Sequence, residues 1–281
     1  MTDIRTIKPE TFDLPCKDGL SIRGEVYPAE SALGSVIICH GFKGFAHWAF
    51  FPYLARALAR DGLTAITFDF SGSGVGHDRE SFTEAGAFAG NTFSRELEDL
   101  DLLEDYARRR KWIAGKFGLF GHSRGGGMAI LFAAAESANV NALVTWAAIS
   151  YPNRWSPEDV VTWRKRGYAE ITNSRTGQVM RLDTDLLDDV ELHGKAKLNI
   201  EAAAGKIRVP WLIVHGTADE TVPSTEAEHL HSLSKGVSTL RLIDGGNHGF
   251  DAKHPLTDVP PILERVVLET VKFFVRNATT K

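Results

Sequence analysis

The sequence predicts an α/β protein built on an eight-stranded, mostly parallel sheet with helices on both faces and one insertion. Three observations carry that expectation. Short apolar runs bounded by glycine or proline alternate with segments of helical periodicity along most of the chain. A glycine-flanked serine, Gly121-His122-Ser123-Arg124-Gly125-Gly126, directly follows one such run, Phe117-Gly118-Leu119-Phe120. The alternation fails once, from about residue 151 to 205, where the chain becomes polar with scattered aromatic residues.

Phe12 to Pro15 and Leu20 to Tyr27 flank Lys17-Asp18-Gly19, a hairpin signal that predicts two antiparallel strands at one sheet edge. Strands follow at 35–39, 64–69, 116–120, 141–146, 210–214 and 239–243. Most are apolar on both faces, as parallel strands covered by helices are. Helices are predicted over His47 to Arg60, Thr92 to Arg110 and Ile262 to Arg276. In the second, Phe93, Leu97, Leu100, Leu103 and Ala107 keep a helical apolar period. Inside the irregular stretch, Glu170 to Met180 reads as a hairpin and Asp183 to Leu192 as a charged helix. Ligands of such sheets bind beyond the carboxyl ends of the strands.

Composition narrows the class. A chain of 281 residues buries a large core and leaves room for an insertion beyond one α/β domain. Its formal charge of −4 argues against a nucleic-acid partner, which requires a basic patch. The densest basic run, Arg108-Arg109-Arg110-Lys111, closes a predicted helix, where cations complement the helix dipole. Met1 to Lys8 lack the apolar run of a signal peptide, and no segment approaches 18 uninterrupted apolar residues. The expectation is a soluble, cytoplasmic protein with no membrane partner. Cys16 and Cys39 cannot build a disulfide framework, and the Asn277-Ala278-Thr279 sequon is expected to stay unused. A homodimer is left open.

The chemistry starts at Ser123. A tight strand-to-helix turn exposes its hydroxyl, and glycines two residues before and after let neighbouring segments come close. A serine hydroxyl is a weak nucleophile until an imidazole takes its proton and a carboxylate orients that imidazole. Both follow downstream. Asp219 lies in the loop after the apolar run Pro210 to Val214, and His248 in the loop after Thr239 to Ile243. The chain order is Ser, Asp, His.

With these motifs the sequence, from about residue 20 to 276, resembles the α/β-hydrolase superfamily. Within it the chain is similar to short-lidded carboxylesterases of the cinnamoyl and feruloyl type, and to the dienelactone hydrolase and serine aminopeptidase-like groups. The resemblance implies one α/β-hydrolase domain over residues 1–281, with the stretch at about 151–205 as a small cap. It implies that the strand ending in His40-Gly41 presents the Phe42 amide to an oxyanion, with the Arg124 amide as second donor. It favours Asp219 over Asp69 and Glu220 as the acid, leaving Asp69 to tie down the Gly72 to Gly76 loop. Trp155, Trp163 and Tyr168 either line the pocket or pack the cap onto the body. The activity implied is hydrolysis of a small-molecule ester through an acyl-enzyme, with no cofactor. A thioesterase, an acyl-peptide hydrolase or a carbon–carbon bond hydrolase would use the same triad, and a catalytically silent fold that only binds ligand is the reading from a different class.

Two other patterns resolve to structure. Ser71 to His77 begins like a dinucleotide fingerprint, but His77 stands where the third glycine is needed. His40, His122 and His215 lack the spacing of a zinc site, so no metal is expected. His40 and His122 are expected to brace turns, and His215 to cap its strand.

Overall fold

Alternate residues of the first parallel strand face opposite cores: Val36 and Ile38 enter one buried cluster, Ile37 and Cys39 the other. That two-sided burial is what the unbroken apolar runs in the sequence reflect. The computed structural model describes residues 7–136, 138–173 and 177–278. Ser174 to Thr176 of the predicted hairpin and Thr279 of the sequon therefore lie outside the described residues.

The sheet is built from β1 (Glu10–Pro15), β2 (Ser21–Tyr27), β3 (Gly34–Cys39), β4 (Leu63–Asp69), β5 (Phe117–His122) and β6 (Val140–Trp146), and is completed by β9 (Trp211–Gly216) and β10 (Ser238–Ile243). Its order is β1-β2-β4-β3-β5-β6-β9-β10. β1 pairs antiparallel with β2 and β2 antiparallel with β4, while all other pairs are parallel. This is the eight-stranded, mostly parallel sheet the sequence predicts.

Helices α1 (Phe50–Arg60) and α9 (Pro261–Ala278) cover one face, through Phe50, Leu54, Leu58, Val267, Val271 and Phe274. The opposite face is covered by α3 (Phe93–Arg109), α4 (Arg124–Ala135) and α8 (Ser224–Leu233). Thr92 caps α3, its side chain accepting the Arg95 N–H. The predicted helix from His47 begins only at Phe50, because Ala49 takes a positive φ of 39° and the preceding residues form a turn. The short helix α2 (Ala85–Ala89) carries too few residues to show a period in the sequence.

Between β6 and β9 the chain leaves the sheet. It forms α5 (Pro157–Arg166), a two-stranded antiparallel hairpin of β7 (Tyr168–Thr172) and β8 (Val179–Asp183), then α6 (Asp185–His193) and α7 (Ile200–Ala204). This segment is fastened to the body at several points. Lys43 Nζ donates to the Thr172 carbonyl, Gln178 Nε2 to the Phe82 carbonyl, and Ser94 N to the Asp189 carboxylate, at 3.3, 2.8 and 2.9 Å. Arg154 pairs with Glu226 of α8 at 2.9 Å. Among the described residues no helix is long and apolar enough to cross a membrane.

Candidate active site

Ser123 stands between β5 and α4 with φ 56° and ψ −122°, a strained conformation for a residue with a Cβ. Close packing holds it there. A Cβ on Gly121 would fall 2.2 Å from the Gly125 carbonyl oxygen, and one on Gly125 would fall 2.3 Å from that of His40. Both flanking glycines are therefore required by backbone approach. The Ser123 N–H donates to the Trp146 carbonyl at 2.9 Å, which ties the turn to the neighbouring strand β6.

The loop leaving β3 passes directly over this turn: a Cβ on Gly41 would lie 2.9 Å from the Ser123 Cβ. His40 braces the loop. Its Nδ1 faces the Gly41 carbonyl at 2.8 Å while its Nε2 accepts the Phe70 N–H at 3.2 Å, which assigns the proton to Nδ1. Burial pushes the His40 imidazole down to about 4. The Phe42 amide meets no acceptor among the described residues. Arg124, first residue of α4, has no intrahelical acceptor for its own N–H. Among the described residues, then, the amide next to Ser123 in the chain and the Phe42 amide of the loop over its turn meet no acceptor.

The side chains of these two residues also meet. The Arg124 guanidinium lies 5.6 Å from the Phe42 ring and 3.9 Å from the Phe93 ring, and it pairs with buried Glu96 through Nη2 and Nε at 3.0 and 3.1 Å. This fork was not signalled by the motif, which concerns main-chain amides alone.

Asp219 follows β9 with a fully buried carboxylate that meets four donors. Oδ1 accepts the Thr221 and Val222 N–H groups, each at 2.9 Å. Oδ2 lies 2.8 Å from His248 Nδ1 and 3.2 Å from His215 Nε2. Burial alone would raise this acid, but the two histidine hydrogen bonds hold it far below the usual carboxylate range. Glu220 is exposed. His215 thus reaches the Asp219 carboxylate as well as the Val222 carbonyl, a contact beyond the strand-capping role read from the sequence.

His248 is half-buried, and its ring centroid lies 4.7 Å from that of His122. His122 Nε2 is 2.9 Å from the His248 carbonyl oxygen. Burial, then the neighbouring His248, pushes His122 down to about 3. Among the described residues no hydrogen bond joins the Ser123 hydroxyl to His248. Ser123, Asp219, His248 and the Phe42 loop nevertheless share one end of the sheet, beyond β5, β9, β10 and β3.

Asp69 differs from expectation. Its Oδ1 accepts the Ala46 N–H at 2.7 Å, so it ties down the loop after β3. β3 and β4 are parallel neighbours, which places the end of β4 beside that loop. The Gly72 to Gly76 loop is held instead by Arg23, whose Nη1 donates to the Val75 carbonyl at 3.1 Å. Burial raises Asp69 to about 7.

Of the three aromatic residues singled out in the inserted segment, Trp163 is 2% exposed and donates through Nε1 to the Leu182 carbonyl at 3.0 Å. Trp155 packs edge-on against it at 5.2 Å. Tyr168 lies between the Arg166 and Arg181 guanidiniums, 4.4 and 4.3 Å from its ring centroid. A cleft of about 780 Å³ opens nearby, walled by Phe45, Trp48, Phe82, Asn173, Gln178 and His254. Trp48 joins it to the strand-end cluster, stacking at 6.5 Å on His122. Phe45 and Phe82 lie in loops, where no periodicity marks them, while Trp48 falls within the helix predicted from His47 but sits in the turn that precedes α1.

Residues 34–169 match the family model of the alpha/beta hydrolase fold. Over 256 residues the chain is 25% identical to the "Uncharacterized protein YfhR" of Escherichia coli (strain K12), covering 87% of this chain and 76% of that one. Among solved structures, ferulic acid bound to Est1E from Butyrivibrio proteoclasticus superposes with a TM-score of 0.74 at 22% identity, over 96% of this chain and 100% of that one. The alpha/beta hydrolase GrgF from Penicillium sp. sh18 gives 0.75 at 17% identity, over 97% and 100%. Dienelactone hydrolase from Anabaena variabilis ATCC 29413 gives 0.59 at 18%, over 96% and 98%. At these identities the likeness is one of fold alone. The chain therefore has the α/β-hydrolase fold.

Proposed function

We propose that this hydrolase cleaves carboxylic esters of small molecules through an acyl-enzyme intermediate. Ser123 Oγ attacks the ester carbonyl while His248 takes its proton. Asp219 orients the imidazole and stabilises the imidazolium, and the Phe42 and Arg124 amides receive the oxyanion. The tetrahedral intermediate collapses with a proton from His248 to the leaving alcohol, forming the acyl-serine. Water, activated by the same imidazole, then releases the acid and restores Ser123. The single observation that carries the reading is the Asp219–His248 contact of 2.8 Å beside a serine held at positive φ.

Ester chemistry is favoured over thioester or peptide chemistry by the relatives that share the fold, among them Est1E with bound ferulic acid and an esterase domain from a Rhodothermus marinus protein. The inserted segment at about 151–205 serves as the cap in this reading, its hairpin reaching the cleft through Asn173 and Gln178. Incubation with a fluorophosphonate probe, followed by peptide mapping, is expected to find the label on Ser123. Initial rates on nitrophenyl esters of graded acyl length and on hydroxycinnamate esters then rank the acyl groups. Absence of both labelling and turnover would overturn the proposal in favour of a silent ligand-binding fold.

A further inference from the structure

Two imidazoles share one oxygen of Asp219. His248 Nδ1 lies 2.8 Å from Oδ2 and His215 Nε2 lies 3.2 Å from the same atom. His215 sits in β9, four residues before Asp219, with its side chain wholly buried. Its Nε2 is also 2.8 Å from the Val222 carbonyl oxygen. Both partners of that nitrogen are acceptors, so it carries the proton. Its Nδ1 is buried with no partner, and a second proton there would have no acceptor.

The turn from β9 to Val222 is thus closed twice. Asp219 Oδ1 accepts from the Thr221 and Val222 N–H groups, and His215 Nε2 donates to the Val222 carbonyl. These contacts fix the plane of the carboxylate before His248 approaches it. We propose that His215 is a positioning residue for Asp219: its Nε2–H holds Oδ2 toward His248 Nδ1 and draws off part of the charge that Oδ2 would otherwise direct at that imidazole. The proposal rests on the reading of Ser123, Asp219 and His248 given above. His122 is the other titratable group gathered with these three. Its partner is the His248 carbonyl rather than the carboxylate, so it does not substitute for His215.

Losing the His215 donor has two consequences of different kind. The carboxylate becomes freer to rotate, which lowers kcat. It also becomes a stronger acceptor for His248, which favours the imidazolium and moves the acid limb of the rate profile to higher pH. KM is spared, because a wholly buried ring behind Asp219 touches no substrate.

The test compares His215→Leu with His215→Gln, whose amide can donate from a similar position. Steady-state rates on a nitrophenyl ester are measured across pH, together with melting temperatures and the downfield NMR proton of the His248 Nδ1–H group. His215→Leu is expected to lose roughly tenfold in kcat, the size of one charge-assisted hydrogen bond, with KM unchanged, the acid limb raised and the proton displaced. His215→Gln is expected to recover most of that loss and to return the limb and the proton toward their original positions. Equal impairment of both variants, or a lower melting temperature with an unmoved pH limb and proton, would overturn the proposal by making His215 a packing residue only. Should the unaltered protein fail to turn over any ester, the esterase reading falls, while the displaced or unmoved Nδ1–H proton still decides the role of His215.

Discussion

His122 Nε2 lies 2.9 Å from the main-chain oxygen of His248, so the residue before the serine holds the backbone of the imidazole that faces it across the strand ends. With its pKa pushed down to about 3 by burial, His122 stays neutral at physiological pH and has one proton to place, and the His248 carbonyl receives it. Trp48 and Phe50 hold the same ring from its other sides, with centroids 6.5 and 5.2 Å away. Replacing His122 with Phe preserves that aromatic packing and removes the donor. The expected outcome is a kcat lower by about tenfold, from a less constrained His248, with KM little changed. Steady-state kinetics alongside circular dichroism check it, and an undiminished kcat in a folded variant would show that the bond does not position His248.

Asp219 and Glu220 are adjacent carboxylates in opposite surroundings. The first is buried and meets four donors; the second is exposed to solvent. Asp219→Asn presents an amide that can favour the wrong His248 tautomer, a change that costs roughly 10⁴-fold in the trypsin-like enzymes. Glu220→Gln is expected to stay within about twofold of the unaltered rate, as surface substitutions away from such features do. Rate constants for the two variants decide the assignment, and the reverse ranking would transfer the acid to Glu220.

The stability of the fold should carry the signature of Asp69. Burial raises its carboxyl to about 7, against an ordinary value near 4 in the unfolded chain. Between those values the folded state holds a proton that the unfolded state has released, so this contribution is complete below about pH 4 and is lost as pH rises to 7. His40 and His122, pushed down to about 4 and about 3, act in the opposite sense: their contribution is complete above about pH 6.5 and is lost as acid protonates the unfolded chain. Asp69→Asn keeps an oxygen for the Ala46 N–H and removes the titration. The variant should therefore gain on the unaltered protein by up to about 1.4 kcal/mol for each pH unit between 4 and 7. Urea denaturation at pH 4.5 and 7.5 measures the difference, and a gap independent of pH would contradict the burial argument.

The sheet was legible because strands covered on both faces leave unbroken apolar runs, as at Val36 to Cys39 and Leu119 to Phe120. Ser123 was legible because a strained turn demands glycine on either side. What escaped the sequence depends on which strands are neighbours and how loops close. Asp69 meets Ala46 only because β4 lies beside β3, and no local pattern states that adjacency. His215 and Asp219 are four residues apart, yet only the turn through Val222 brings the ring onto the carboxylate. Within the inserted segment, the sequence signals the hairpin and the charged helix α6. The helix α5 has no clear apolar period, and its sequence signals are the Ser156 cap and Gly167, which ends it in a left-handed conformation.

Aromatic residues in the inserted segment and in the cleft should separate by what their removal changes. Trp163 is 2% exposed, hydrogen-bonded to the Leu182 carbonyl and packed on Trp155, the surroundings of a residue that holds the segment together. Trp163→Ala is expected to destabilise the protein by roughly 3 to 5 kcal/mol, the usual cost of removing a buried large aromatic ring. The order in which acyl groups are preferred should survive. Trp48 is different: it walls the cleft and stacks on His122, so its ring stands between the open space and the strand-end cluster. Trp48→Ala is expected to shift relative kcat/KM between short and aromatic acyl groups by roughly 1 to 3 kcal/mol, the scale of an apolar pocket contact. Trp155→Ala and Tyr168→Ala, one packed on Trp163 and the other held between two arginines, complete the series. Thermal melts and the ester panel on all four variants give the decision. A changed ranking in Trp163→Ala with an unchanged one in Trp48→Ala would move the specificity wall from the loop after β3 to the core of the inserted segment.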